Sequence, residues 1–269
     1  MHASDARGCD SNLSMAEPTY QLPPLPDAPR DIVMFVAMER EAAPIAAALK
    51  LGAAQALAAR SSARIRRGEI AGARISLITP GVDPATGVDK IGPLHASMAL
   101  QRALHAMHCD LLLNAGTAGG FESRGGAIAD IIIAHECMIH DARVQISGFD
   151  TLCRSHTKLS PDDAMLARLC RTLSARAGLV STGSSLDATA DDLACFAATK
   201  TLAKDMELAA LAVVAHELGL PLAAIKGVTD FVDHHEPTQD AFLRNLQRTS
   251  NAVAAASGPL IETLARLRG

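Results

Sequence analysis

Apolar residues along this chain recur in two alternating patterns. Asp31-Ile-Val-Met-Phe-Val-Ala37 is a continuous apolar run, as in a strand buried on both faces, and Glu39 to Leu49 then reads as a helix. Two more strands are expected over 63–70 and 73–79 around a turn at Ala71-Gly72, and a helix over about 91–107. Asp110-Leu-Leu-Leu-Asn114 is a further apolar strand that ends in Gly-Thr-Ala-Gly-Gly. A strand over 127–139, a helix over 161–177 and a strand from Gly178 to Ser185 follow. Leu202, Met206, Ala209, Ala210, Val213 and Val214 fall at helical spacing and predict a helix over 202–218, closed by Gly219 and Pro221. Leu222 to Val228 is the last core strand. A helix from Thr238 carries Phe242, Leu243, Leu246 and Val253 on one stripe, and Gly258-Pro259 is expected to bend or break it. Such alternation predicts one α/β domain in three layers, a mixed, mostly parallel central sheet flanked by helices, over 31–269. Residues 1–30 stand apart. Five of the 13 prolines (Pro18, Pro23, Pro24, Pro26, Pro29) crowd into twelve residues, so this segment is expected to be a disordered tail.

Composition narrows the function classes. Of the 269 residues 49% are hydrophobic, yet there are only six Phe, one Tyr and no Trp, so apolar mass comes from Ala, Leu, Val and Ile. That palette suits helix-covered sheets, and it excludes global disorder. A net charge of −4 with few aromatics offers neither the basic stripe nor the stacking platforms of a nucleic-acid binder. No uninterrupted apolar run reaches the ~18 residues of a membrane span, so no membrane partner is expected. Cys9, Cys109, Cys137, Cys153, Cys170 and Cys195 are spread without a CxxC pair, as free thiols in a reducing compartment would be. No secretory signal is visible, Asp5, Asp10 and Glu17 argue against a transit peptide, and a cytoplasmic location is expected.

Ligands of open α/β sheets bind beyond strand ends, and four segments put polar residues there. In Val36-Ala-Met-Glu-Arg-Glu41 the carboxylates follow the first strand, where the helix macrodipole alone would favour them. Asn114-Ala-Gly-Thr-Ala-Gly-Gly120 is not a GxGxxG fingerprint; its glycines bring bare amides and a hydroxyl near a ligand, or simply make a tight turn. Lys204-Asp-Met-Glu207 sits where the 202–218 helix should open, as a capping group or as a ligand-facing carboxylate. Lys226-Gly-Val-Thr-Asp230 ends a buried strand in Asp, a turn residue or an acid whose pKa burial would raise. His105, His108 and Cys109, or His234 and His235, do not complete a zinc set, and no GxSxG, HExxH or P-loop is present. What remains is a set of carboxylates around a glycine-lined cleft, with no metal.

Together these segments resemble the 5'-methylthioadenosine/S-adenosylhomocysteine nucleosidases of the nucleoside phosphorylase superfamily, in particular their plant-type branch. The match runs in order through VAMEREA (36–42), GVD (87–89), NAGTAGGF (114–121), HDARV (140–144), STGSSLDAT (181–189), KDMELAA (204–210), KGVTDFVD (226–233) and PTQDAFLRNL (237–246). The resemblance implies that Glu41 orients or deprotonates the attacking water and that Asp230 protonates the purine at N7. It implies that Glu207 binds the ribose hydroxyls over Met206, and that Met38, Thr117 and Gly119 line the sugar and water site. Main-chain groups from Ser185 to Asp187 would meet adenine, with Leu186 in the place of a stacking aromatic. Ser184 stands where plant-type members carry an acid. The 5'-alkylthio pocket would draw on a neighbouring subunit near Gln145 to Thr151, with Phe149 a contact, which implies a homodimer. Phe121, Phe149 and Phe231 all fall in or beside these segments.

The implied chemistry is hydrolysis of the N-glycosidic bond of 5'-methylthioadenosine, with S-adenosylhomocysteine as a second candidate, in methionine salvage and without metal or organic cofactor. Acid assistance to the leaving purine is worth on the order of 10²–10⁴-fold. The sugar takes on oxocarbenium character, which a nearby carboxylate stabilises. Two alternatives stay open. A phosphorylase of the same fold would need a phosphate pocket, toward which Arg40 is the one suitable residue and Glu41 the obstacle. A non-catalytic nucleoside-binding or storage protein would be expected to have lost the acid or the water-positioning Glu, whereas Glu41, Glu207 and Asp230 are all present.

Overall fold

The computed structural model describes residues 17–266, except Gln145 and His235. Its strands are β1 (Tyr20–Gln21), β2 (Asp31–Phe35), β3 (Gln55–Ala56), β4 (Arg64–Ile70), β5 (Ala73–Thr79), β6 (Leu111–Gly120), β7 (Ile131–Ile139), β8 (Thr157–Lys158), β9 (Arg176–Thr182), β10 (Ala203–Asp205) and β11 (Leu222–Phe231). Its helices are α1 (Glu39–Ala48), α2 (Pro93–Ala106), α3 (Phe149–Arg154), α4 (Asp163–Leu173), α5 (Ala190–Thr199), α6 (Leu208–Glu217) and α7 (Thr238–Ala265). All eleven strands join one mixed sheet, in which six of the eleven strand pairs are parallel. At its heart β6, β11, β7, β9 and β10 close into a ring, each hydrogen-bonded to the next and β10 returning to β6 through Lys204 and Gly119. Beyond the ring, β2 continues from β6 to β5, β4 and β3.

Apolar runs explain why these strands lie inside. Every residue of Leu111–Gly120 is buried except Thr117, and Leu222–Asp230 is buried throughout. Helices cover the sheet from both sides. One cluster joins Phe35, Leu100, Leu208, Leu211 and Val228, and the other joins Ile45, Leu113, Ile225, Val253 and Ile261. Each such side chain contributes about 1.5–3 kcal/mol on burial. No described helix is long and apolar enough to cross a membrane. Cys109, Cys137, Cys153 and Cys170 are free thiols, and Cys9 lies outside the described residues.

Four expectations need correction. The glycine-rich stretch after Asn114 is not a loop, because β6 runs through it to Gly120 and pairs with β11 from Leu112 to Gly120. The helix expected over 202–218 begins only at Leu208. Ala203–Asp205 instead pairs in parallel with Val180–Thr182 of β9, so sheet pairing overrides the helical spacing. Gly258-Pro259 does not break the last helix, since Leu260, Ile261 and Leu264 beyond it are buried, and packing outweighs the lost bond. The tail expected over 1–30 is not a tail from Tyr20 onward, while residues 1–16 lie outside the described set. Tyr20 and Leu22 donate backbone N–H groups to His156 and Lys158 at 3.0 Å, and Leu22 is buried. Its prolines forbid helix, but an extended edge strand accommodates them. The short helices α3 and α5 were not anticipated; Thr189 caps α5 by accepting from Asp192 N–H.

If the Tyr20–Leu22 segment is part of the domain, Leu22→Ala should lower unfolding stability by about 2–3 kcal/mol in chemical denaturation. A loss below about 0.5 kcal/mol, the scale of surface substitutions, would show the segment to be dispensable.

Candidate active site

Buried ionisable side chains gather around the strands of the ring. Glu41 is the third residue of α1, and its Oε2 accepts the N–H of Met38 at 3.1 Å, closing the helix start as a capping residue does. Its Oε1 accepts both the N–H and the hydroxyl of Thr117 on β6, each at 2.7 Å. Glu41 therefore closes the start of α1 and ties it to β6 through one carboxylate. Gly116 lets it approach, because a Cβ there would lie 3.3 Å from Oε1. Burial pushes the Glu41 carboxyl above its ordinary value, against the Thr117 hydroxyl and the Lys226 charge.

Asp230 enters on the other side of β6. A bulge between Val228 and Asp230 shifts the β6–β11 register, and a Cβ on Gly119 would lie 2.8 Å from Asp230 Oδ2. Only glycine leaves room for that carboxyl. Thr229 donates its hydroxyl to Asp230 Oδ1 at 2.7 Å. Burial raises the pKa of Asp230, opposed by Thr229 and by Lys204. Thr117 and Gly119 are two apart on one strand, so the points where Glu41 and Asp230 meet β6 are about 7 Å apart.

Glu207 sits just before α6, not inside a helix. It is buried, and its Oε1 accepts the N–H of Gly92 at 2.8 Å. Burial, then the charge of Asp205, push it up to about 7, against the pull of Lys226. Met206 beside it and Met38 before α1 are half-buried. Lys204 reaches from β10 to the carbonyls of Ser185 and Leu186, at 2.5 and 2.9 Å, while Ser184 N–H donates to Asp141 Oδ2 at 2.7 Å. The 184–187 segment is thus pinned by its backbone while Leu186 and Asp187 stay exposed. Phe149, at the start of α3, is 58% exposed and belongs to no part of the carboxylate cluster in this chain. Phe121 is buried edge-on against Phe196 beneath Arg124, a core position; Phe231 lines a cavity of about 150 Å³ beside Asp230, with Ile128, Ala241 and Asn245.

Two members of the cluster carried no role in the sequence reading. Lys226, on β11, is 1% exposed and pairs with Asp205 at 2.6 Å. Its position held a signal, as the one charge inside the apolar run Leu222–Val228. Asp205 was hidden by the helix expected around it. Elsewhere, Asp31, His108 and Asp110 come together at the surface, but Arg74 holds Asp31 and the N–H groups of Arg30 and Asp31 hold Asp110. They form a structural charge network.

This fold and cluster define a class. The "Phosphorylase superfamily" family profile matches residues 31–262, and the chain belongs to that superfamily. A 5'-methylthioadenosine/S-adenosylhomocysteine nucleosidase of Arabidopsis thaliana is 33% identical over 238 residues, 88% of this chain and 89% of its own. A 5'-methylthioadenosine nucleosidase of the same plant is 35% identical over 188 residues, 70% of this chain and 69% of its own. The solved apo structure of Arabidopsis thaliana 5'-methylthioadenosine nucleosidase superposes with a TM-score of 0.83 at 31% identity, covering 88% of this chain and 96% of that one. Within the superfamily the chain belongs to the methylthioadenosine/S-adenosylhomocysteine nucleosidases, hydrolases of N-glycosyl bonds.

The raised Glu207 pKa makes a stability claim. Below about pH 4.5 this side chain is neutral folded or unfolded; between there and about 7 the folded protein keeps a proton that the unfolded chain has lost. Stability from this group is therefore present at low pH and lost as pH rises through about 7, by on the order of 3 kcal/mol. Glu207→Gln should raise the Tm of the ligand-free protein at pH 8 and leave it near wild type at pH 4.5. An equal change at both pH values would assign the destabilising charge elsewhere.

Proposed function

We propose that the protein cleaves the N-glycosidic bond of 5'-methylthioadenosine with water, releasing adenine and 5-methylthioribose in methionine salvage, and acts likewise on S-adenosylhomocysteine. The observation that carries this reading is the placement of Glu41, hydrogen-bonded to Thr117, on the same strand that Asp230 reaches at Gly119. Asp230, its pKa raised, holds the proton that the departing purine needs at N7. Glu207 takes the ribose hydroxyls and offsets the positive charge that develops on the sugar. Glu41 orients the water and accepts its proton, while Met38, Thr117, Gly119 and Met206 shape the sugar pocket. Adenine meets the 185–187 backbone beside Leu186, a stretch whose Ser185 and Leu186 carbonyls Lys204 holds in place.

Phosphorolysis fits less well. Arg40 is exposed, whereas the buried Glu41 carboxylate would repel a phosphate dianion at the same place. In phosphate-free buffer the protein should release adenine from 5'-methylthioadenosine at its full rate. Asp230→Asn and Glu41→Gln should each lower kcat/KM by about 10²–10⁴-fold. Absolute dependence on phosphate would overturn the hydrolytic reading, and undiminished turnover by Asp230→Asn would remove its acid.

We place the protein in the cytoplasm and read it as a homodimer. Val88, Leu94 and Met98, with Val82 and Ile91, are large apolar side chains 42–68% exposed on the 82–91 loop and the first turns of α2. This apolar face adjoins Gly92, the anchor of Glu207, and a second copy covers it, bringing Phe149 within reach of the 5' substituent. Leu94→Glu should yield a monomer in analytical ultracentrifugation. An unchanged mass would remove α2 from the interface.

A further inference from the structure

Lys226 lies among three carboxylates, yet within ion-pairing distance it has only one partner among the described residues, Asp205 at 2.6 Å. Asp205 is held from every side. Its Oδ1 accepts the Thr182 hydroxyl at 2.6 Å, and its Oδ2 accepts Leu208 N–H at 2.9 Å as well as the ammonium. Thr182 in turn accepts Ala209 N–H at 2.9 Å, so the start of α6, next to Glu207, hangs on the same carboxylate. Glu207 has one oxygen on Gly92, and its Oε2 has no hydrogen-bond partner among the described residues. An ammonium released from Asp205 has Glu207 and Glu41 as its nearest alternative charges.

We propose that Asp205 is a positioning residue for the reaction, which by fixing Lys226 keeps the ammonium off Glu207 and leaves one oxygen of that carboxylate for the sugar. The proposal rests on the ribose-binding reading of Glu207. The groups that face Glu207 are Asp205 of β10, Lys226 of β11, Glu41 of α1 and the Gly92 amide before α2. Asp205 is faced besides by Cys137 of β7, by Lys204 of β10 and by His140 just after β7. Its charge and its hold on Lys226 act in the same direction, each raising the pH at which Glu207 loses its proton.

Asp205→Asn keeps the shape and most hydrogen bonds but gives up the charge. In the ligand-free protein, the ionisation midpoint of Glu207, followed by carboxyl carbon NMR, should fall by about one to three pH units. KM should rise as the ammonium competes with ribose, and the acid limb of kcat/KM should move down with the midpoint. Asp205→Glu, which retains the charge, should restore the wild-type midpoint. Thr182→Val, which lets Asp205 turn, should shift it down by a smaller amount and decides the matter alone should Asp205→Asn fail to fold. An unmoved midpoint overturns the proposal, as does a uniform loss of kcat without any shift. A midpoint that moves while the acid limb stays would instead unseat the ribose-binding role of Glu207 and leave the Lys226 coupling intact.

Discussion

The Lys226 ammonium, buried on a strand of the closed ring, is the constraint from which the rest of the site follows. Moving a lysine out of water costs several kcal/mol unless its charge is met and its donors are occupied. Lys226 meets that demand through Asp205, and Asp205 through Thr182 and Leu208 N–H. The carboxylates that remain, Glu41 and Glu207, are then left with burial as the dominant influence on their protonation, and both lie above the ordinary range. The same dry interior that makes the charges expensive is what gives the acid and base groups their altered affinities for protons.

Much of the fold was legible because it rests on period and length. Asp31–Phe35, Leu222–Phe231 and the pair around Ala71-Gly72 announce themselves by apolar runs and a turn, and form close to where expected. What local pattern could not show was pairing across the sheet. Ala203–Asp205 looks helical in isolation, and becomes a strand because Val180–Thr182 on one side and Gly119 on the other supply ladder partners. Tyr20–Leu22 looks like unstructured chain until Thr157–Lys158 is beside it. Glu41, Glu207 and Asp230 stood out by type and position. Asp205 did not, and Lys226 showed only as a lone charge in an apolar run, since their meaning lies in one contact between segments 21 residues apart.

Economy marks the way the carboxylates are held. Glu41 caps α1 and binds Thr117, so the helix start and the site wall are one interaction. Gly119 contributes by what it lacks, since any side chain there would occupy the space of Asp230. The exposed 184–187 segment is treated oppositely, with its backbone clamped by Lys204 and Asp141 and its side chains free. Rigid charges beneath and an adaptable rim above are consistent with fixed chemistry and variable substrate reach.

The two-residue strand β1 has a consequence for the protein's behaviour in a crowded solution. A ring of strands has no free border, but β8 leaves one, and an open row of N–H and C=O groups invites pairing with another chain. Tyr20 and Leu22 donate to that row, and the prolines that follow cannot extend it. By occupying the border and then ending it, the Tyr20–Leu22 segment shields the sheet from edge-to-edge self-association.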